Sequence, residues 1–380
     1  LDGIELPMWC LAEFKSFRPV VLRCLLASAL SVCLSFPPAL AKTGVRALDE
    51  PAIAVRDPSG VPLISVARAG NRLVAVGVHG VIIISDDNGA SWQQAAVPVN
   101  VALTAVSFAT PRIGWAVGHY GVILRTTDGG LNWSLQLNGL QANQLTLAAA
   151  QAAVAANDPA PGTPLAMKRA NFFVAAGADK PFLTIWTPNA DEAIALGAYR
   201  LAMKTTDGGK TWSDWDLHVG DPLSHNLYDI VPIGADLYIA AETGLVFHSA
   251  DGGDSFAQVT PPVEATMFGA LATGDGGLLV YGVAGQAFTT KDAGHSWQNI
   301  PGFDTNANLI AATTLADGAI VLGGENGILY ASHDHGQSFK PLPETEPMAI
   351  YDIVQAANGD LVVVGNAGVL LVPAKDFNPA

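Results

Sequence analysis

The stretch Thr126-Thr127-Asp128-Gly129-Gly130-Leu131-Asn132-Trp133 decides the fold of this 380-residue chain, because it is one of six copies of the same box. The pattern is Ser/Thr, any, Asp, any, Gly, any, Ser/Thr/Asn, aromatic. The other copies begin at Ser85, Thr205, Ser249, Thr290 and Ser332 and end at Trp92, Trp212, Phe256, Trp297 and Phe339. Their aspartates are Asp87, Asp128, Asp207, Asp251, Asp292 and Asp334, at steps of 41, 79, 44, 41 and 42 residues. A period just above 40 with one doubled step predicts an all-β chain of four-stranded blades set around an axis, a β-propeller. Within a box the carboxylate can accept backbone N–H bonds of its own turn, and glycine permits the positive φ of a tight hairpin. The six aspartates therefore read as structural fasteners, since a catalytic pair is not copied into every blade.

Working outward, each box is preceded by two short apolar strands joined at glycines. Examples are LVAVGVHGVIII (residues 73–84), GWAVGHYGVILR (114–125) and LVVVGNAGVLLV (361–372). An inner strand precedes each pair, as in PLISVAR (62–68) and IYDIVQA (350–356). Alternating apolar residues mark half-buried strands. The alignment predicts a seven-bladed propeller in which blade seven has no box and stops near Val372 after three strands. The segment Pro51 to Pro58 is expected to supply the missing outer strand, so that an N-terminal strand closes the ring and removes its open edge. The doubled step lies between Asn138 and Pro181. Its alanine-rich halves favour helix, and Asp158-Pro159-Ala160-Pro161-Gly162 breaks them apart. A helical hairpin insert at 140–178, between blades two and three, is predicted.

The composition is 50% hydrophobic and 14% charged, enough for one large core. Residues 1–41 are of different material. Lys15, Arg18 and Arg23 precede or interrupt an apolar run from Val20 to Phe36, and Ala39-Leu40-Ala41 offers a small-x-small cleavage site. This reads as a signal peptide, leaving a mature propeller at 42–380 that is not inserted in the membrane after cleavage. Cys10, Cys24 and Cys33 all fall inside that segment, so the mature chain has no disulfide, thiolate metal site or cysteine nucleophile. Val32 in front of Cys33 argues against lipidation. The mature chain carries 16 Lys/Arg against 31 Asp/Glu, which disfavours nucleic acid and anionic lipid as partners.

The GWAVGHYGVILRTTDGGLNW stretch and its counterparts through blade seven resemble the photosystem II stability/assembly factor family of seven-bladed propellers. The resemblance covers roughly Val61 to Val372. It implies a non-enzymatic scaffold or assembly factor that binds a membrane protein complex on its exported face. That complex would be a photosystem subunit in photosynthetic organisms, or an exporter of the resistance-nodulation-division class in other bacteria. The compartment implied is the periplasm, or the thylakoid lumen of a photosynthetic organism, and no cofactor is implied.

The competing class is a sialidase-like glycoside hydrolase, which shares the boxes. Such an enzyme needs an arginine cluster, and the mature chain has eight arginines, of which only Arg56 and Arg68 approach suitable positions. Paired-carboxylate hydrolysis needs two acids about 5–9.5 Å apart. Asp229 and Asp352, both in YDIV on predicted inner strands, are the candidates for that role. Metal binding has less support, because His333 and His335 only flank Asp334 in a box turn and no HExxH or calcium-loop spacing occurs. Topology favours binding. In a propeller the turns between second and third strands share one face with the blade-to-blade connections, and the boxes occupy the other. The turn face would carry His79, His119, Tyr120, Tyr199, Arg200, Glu242, Glu325, Asn326 and Asn366. The insert rises from the same face and adds Lys168, Arg169, Phe172 and Phe173.

Overall fold

A computed structural model describes residues 44–157, 163–221, 223–343 and 347–377. The signal-peptide reading of residues 1–41 and the breaker at 158–162 lie outside the described residues. The apolar segments between turns form seven antiparallel sheets, six of four strands and one of three. Their inner strands are Leu63–Ala69, Leu103–Phe108, Phe182–Trp186, Leu227–Ile233, Met267–Ala272, Leu309–Thr314 and Ile350–Gln355. Each inner strand touches the next in order, and the last touches the first. The architecture is an all-β propeller.

The second strand of each sheet lies between neighbouring sheets. Ala193–Gly197 and Leu361–Gly365 are buried at every residue, which accounts for their near-continuous apolar sequence. Trp115 is fully buried between blades two and three, where it joins Phe182, Ile185 and Trp212. All seven inner strands carry the same register shift at one end, seen between Leu63 and Ser65 in blade one and between Ile350 and Asp352 in blade seven. The glycine ending the second strand is needed there. A Cβ on Gly77 would lie 2.3 Å from the Pro62 carbonyl oxygen.

Residues 51–58 form no strand, so the expected N-terminal strand closure is corrected. Ala52 N donates to Val97 O (3.1 Å) and Ile53 N to His79 O (3.4 Å). The Gln94 side chain also grips this segment, donating to Ile53 O (2.7 Å) and accepting from Val55 N (3.0 Å). These bonds strap the segment across blade one instead of along blade seven. Pro51 and Pro58 bring no N–H to a ladder. The 3-10 turn Pro58–Gly60 touches the last strand, Gly368–Val372, but adds no strand to it, and that sheet has three strands. The blade seven to blade one junction is held from inside: Asp352 Oδ2 accepts from Ser65 Oγ and Val66 N, both at 2.9 Å.

A short helix α1 (Arg46–Asp49) precedes the strap. Between blades two and three the chain forms α2 (Gly139–Ala156) and α3 (Thr163–Ala176). Asn138 and Gln141 make a reciprocal capping box at the start of α2, with bonds of 3.2 and 3.1 Å. Asn143 on α2 donates to the carbonyls of Phe173 (2.9 Å) and Gly177 (2.8 Å), satisfying the end of α3. Phe173 and Ala142 enter the core cluster of Trp115. No described helix is long and apolar enough to cross a membrane.

Candidate functional site

The boxes show one repeated geometry. In the second, Thr126 Oγ1 donates to Asp128 Oδ1 (2.8 Å) and accepts from Gly130 N (3.0 Å). Asn132 then donates from its backbone to Oδ1 (3.0 Å) and from its side chain to Oδ2 (2.8 Å). The same bonds recur at Asp87, Asp207, Asp251, Asp292 and Asp334. Donors from Ser91 and Ser85 hold the Asp87 carboxyl down at about 2, and Thr211 and Thr205 do the same for Asp207. An acid so firmly ionised and so fully engaged is a turn fastener.

The inner-strand acids are also engaged. Asp229 accepts from Ile230 N (2.8 Å) and, across to blade five, from Ala270 N (3.0 Å). Asp352 accepts from Ile353 N (2.8 Å) in addition to its bonds to blade one. Burial raises the Asp229 carboxyl, and it raises that of Asp352 to about 6 against the pull of its N–H donors. Both acids staple adjacent blades through these bonds, and the Asp229 charge also raises the Asp352 carboxyl.

The face formed by the turns between second and third strands gathers the remaining candidates. His79, Tyr120, Tyr199, Thr243 and Ala284 occupy the same left-handed turn position in five blades, with φ between 54° and 58°. His79, His119, Tyr120 and Lys168 point to solvent. Tyr199 is 51% exposed and meets Phe172, itself 50% exposed, edge to face at 6.1 Å. The blade-two turn His119–Gly121 touches α2, which brings Tyr120 beside the insert. Glu242 faces inward, accepting from the backbone and side chain of Asn226, each at 2.8 Å. Glu325 accepts from Asn308 Nδ2 (3.1 Å), Asn326 donates to Asp304 (3.1 Å), and Asn366 accepts from Ala349 N (2.9 Å).

Three candidates lie inside the molecule. Phe173 is fully buried, Arg200 is 1% exposed and Arg169 8%. Arg169 on α3 pairs with Asp216, and Arg200 approaches the same oxygen at 3.9 Å while donating to the Asp221 carbonyl. Asp214 accepts from Thr146 of α2 at 2.6 Å. Burial lowers the Arg169 guanidinium, and burial plus the neighbouring Arg169 lowers Arg200 to about 10. Burial raises Asp214. This network bolts both helices of the insert to blade three. Its acids went unread in the sequence, although two aspartates flanking a tryptophan, Asp214-Trp215-Asp216, were a visible signal. Lys180 was missed as well: it is buried, pairs with Asp179, and sets its ammonium 4.8 Å from the ring centres of both Phe172 and Phe173.

The fold is an all-β propeller carrying a helical insert beside the exposed turns of one face. Residues 84–153 and 174–301 match the family described as photosynthesis system II assembly factor YCF48, and the chain belongs to that family. The family is one of non-enzymatic assembly factors. The photosystem II assembly lipoprotein Ycf48 of Synechococcus sp. (strain CC9902) is 32% identical over 107 residues, a stretch covering 27% of this chain and 32% of that protein. Two solved structures are similar in fold. One, YCF48 bound to D1 peptide, shares 18% identity at a TM-score of 0.59, covering 86% of this chain and 98% of that one. The other, YCF48 from Cyanidioschyzon merolae, shares 16% identity at a TM-score of 0.59, covering 85% and 97%.

Proposed function

We propose that this chain is an exported assembly factor, a rigid seven-bladed ring that holds a segment of a membrane protein against its turn face and helical insert. The observation that carries this reading is the exposed contact of Phe172 with Tyr199, with Tyr120 exposed on the turn that touches α2. These are large exposed rings contributed by two turns and one helix, on a surface otherwise rich in acids. Aromatic anchors on a pre-organised frame give affinity at low entropic cost. Lys180 beneath Phe172 adds a cation that stiffens the ring it touches. The D1 peptide bound by a relative of the same fold supports a photosystem II subunit as the partner.

Because Phe173 and Ala142 belong to the core, deleting the insert would open the ring, and point variants are the cleaner test. A D1 peptide is titrated by fluorescence anisotropy against wild type, Phe172→Ala and Tyr199→Ala. Each substitution is expected to weaken binding by about 1–2 kcal/mol with an unchanged melting curve. Equal affinity for all three proteins would refute the surface. Affinity purification from native membranes with the same variants then asks which membrane complex is lost. Loss of an exporter in place of a photosystem subunit would redirect the partner assignment.

A further inference from the structure

The repeat supplies its own controls for a feature on the box face, opposite the docking surface. The glycine at the fifth position of each box packs against the blade before it, and a bulky side chain usually fills that junction. Gly130 meets Val74 and Ile84, Gly209 meets Trp115 and Arg125, and Gly253 meets Trp215. Gly294 meets Val259 and Gly89 meets Leu371. Gly336 of the sixth box is the exception: blade five offers it only Thr273 at 3.5 Å and Leu279 at 3.9 Å. At two junctions the residue before the box Ser/Thr lies against this glycine, Ile84 at Gly130 and Arg125 at Gly209, and in blade five that place is taken by the shorter Thr289. An open groove of about 310 Å³ results, walled by Thr273, Thr289, Trp297, Gln298, His335 and Gln337.

We propose that this groove between blades five and six binds a neutral saccharide of about disaccharide size. The volume sits at the lower end of the roughly 300–1,000 Å³ typical of small-molecule sites. The lining offers both donors and acceptors. His335 Nδ1 is engaged with Thr273 O at 3.1 Å, which leaves Nε2 as the acceptor. The indole N–H of Trp297 is itself buried, without an acceptor among the described residues, so this residue offers the groove its ring and not its N–H. Gln298 and Gln337 carry amides that both give and take, and Trp297 supplies an apolar ring edge for sugar C–H groups. Charge excludes an anionic ligand. Lys291, the cation at the rim, is neutralised by Asp275 at 2.6 Å, and the box acids Asp292 and Asp334 flank the groove. Hydroxyl-bearing, uncharged ligands are what such a surface can satisfy.

The test titrates the purified protein with maltose and N,N′-diacetylchitobiose, and with the anionic sialyllactose, by saturation-transfer NMR and calorimetry. Thr289→Arg rebuilds the plug that Arg125 provides three junctions away, and Trp297→Ala removes the ring. The expected result is millimolar or tighter binding of a neutral disaccharide. That binding is weakened at least about tenfold by Thr289→Arg at an unchanged melting temperature. D1 peptide binding on the opposite face is expected to be unaffected, so failure here is distinguishable from failure of the docking surface. Absence of neutral-sugar binding, equal binding by Thr289→Arg, or preference for sialyllactose would each overturn the proposal.

Discussion

Replacing Arg169 by Met removes the guanidinium that ties α3 to blade three and leaves Asp216 buried with only Arg200, 3.9 Å away. Removing one partner of a buried ion pair typically costs about 3–5 kcal/mol, because the remaining charge stays desolvated. Asp216→Leu should cost a similar amount, since Arg169 Nε and Nη1 and Arg200 Nε already lack hydrogen-bond partners among the described residues. The double variant behaves differently. With the Arg169–Asp216 pair gone, Arg200 keeps its bond to the Asp221 carbonyl but loses Asp216, so the double variant should lose less than the sum of the two single variants without returning to wild type. Urea unfolding followed by tryptophan fluorescence measures the cycle, with Trp212 and Trp215 close to the network. Trypsin cleavage at Lys168, slow while the insert is docked, should accelerate in each single variant and slow again in the double. Single variants costing under about 1 kcal/mol, or additive losses in the double, would refute the view that these charges bolt the insert down.

The remaining predictions are shorter. Asp128→Ala abolishes the bonds from Thr126 and Asn132 and should cost about 1–3 kcal/mol in urea unfolding; a neutral result would remove the fastener role from the boxes. Gly121→Ala, at φ +61° with a Cβ 2.6 Å from the Gly139 Cα, should destabilise by more than about 1 kcal/mol by straining the junction of turn and insert, visible as a lower melting temperature. Asp352 titrates at about 6 when folded, above its unfolded value of about 3.9, so the folded chain takes up the extra proton. Its stabilising contribution is complete below about pH 4 and is lost as pH rises through 6. The box acids at about 2 act in the opposite sense: their contribution holds above about pH 4 and is lost as pH falls toward 2. Melting temperature should therefore peak in mildly acidic buffer, and Asp352→Asn should shrink the decline from pH 5 to 7 while leaving the acid limb intact. An unchanged decline in that variant would show that the inner-strand acid does not govern it.

The repeat was the legible part of the sequence because every box solves the same local problem with the same residues, so its chemistry is written eight residues at a time. The turns after the second strands repeat as well, with a left-handed residue at His79, Tyr120 and Tyr199. Closure of the ring was not legible, and the reason is physical. Residues 51–58 have the composition of a strand, but their N–H groups are claimed by Val97, His79 and Gln94 of blade one, partners more than twenty residues away. The candidate face divided along the same line. Tyr120, Phe172 and Tyr199 emerge as turn logic and helix position suggest, whereas Arg169 and Arg200 turn inward toward acids that no repeat pattern announces. This acidic protein uses two of its few arginines to anchor the insert and leaves aromatic rings outside it, and the proposed docking surface rests on those rings rather than on charge. The peptide titration of Phe172→Ala and Tyr199→Ala bears on this point directly. Binding that depends on these rings and changes little between low and moderate salt fits an aromatic surface. Binding that collapses with added salt would point to charged side chains instead.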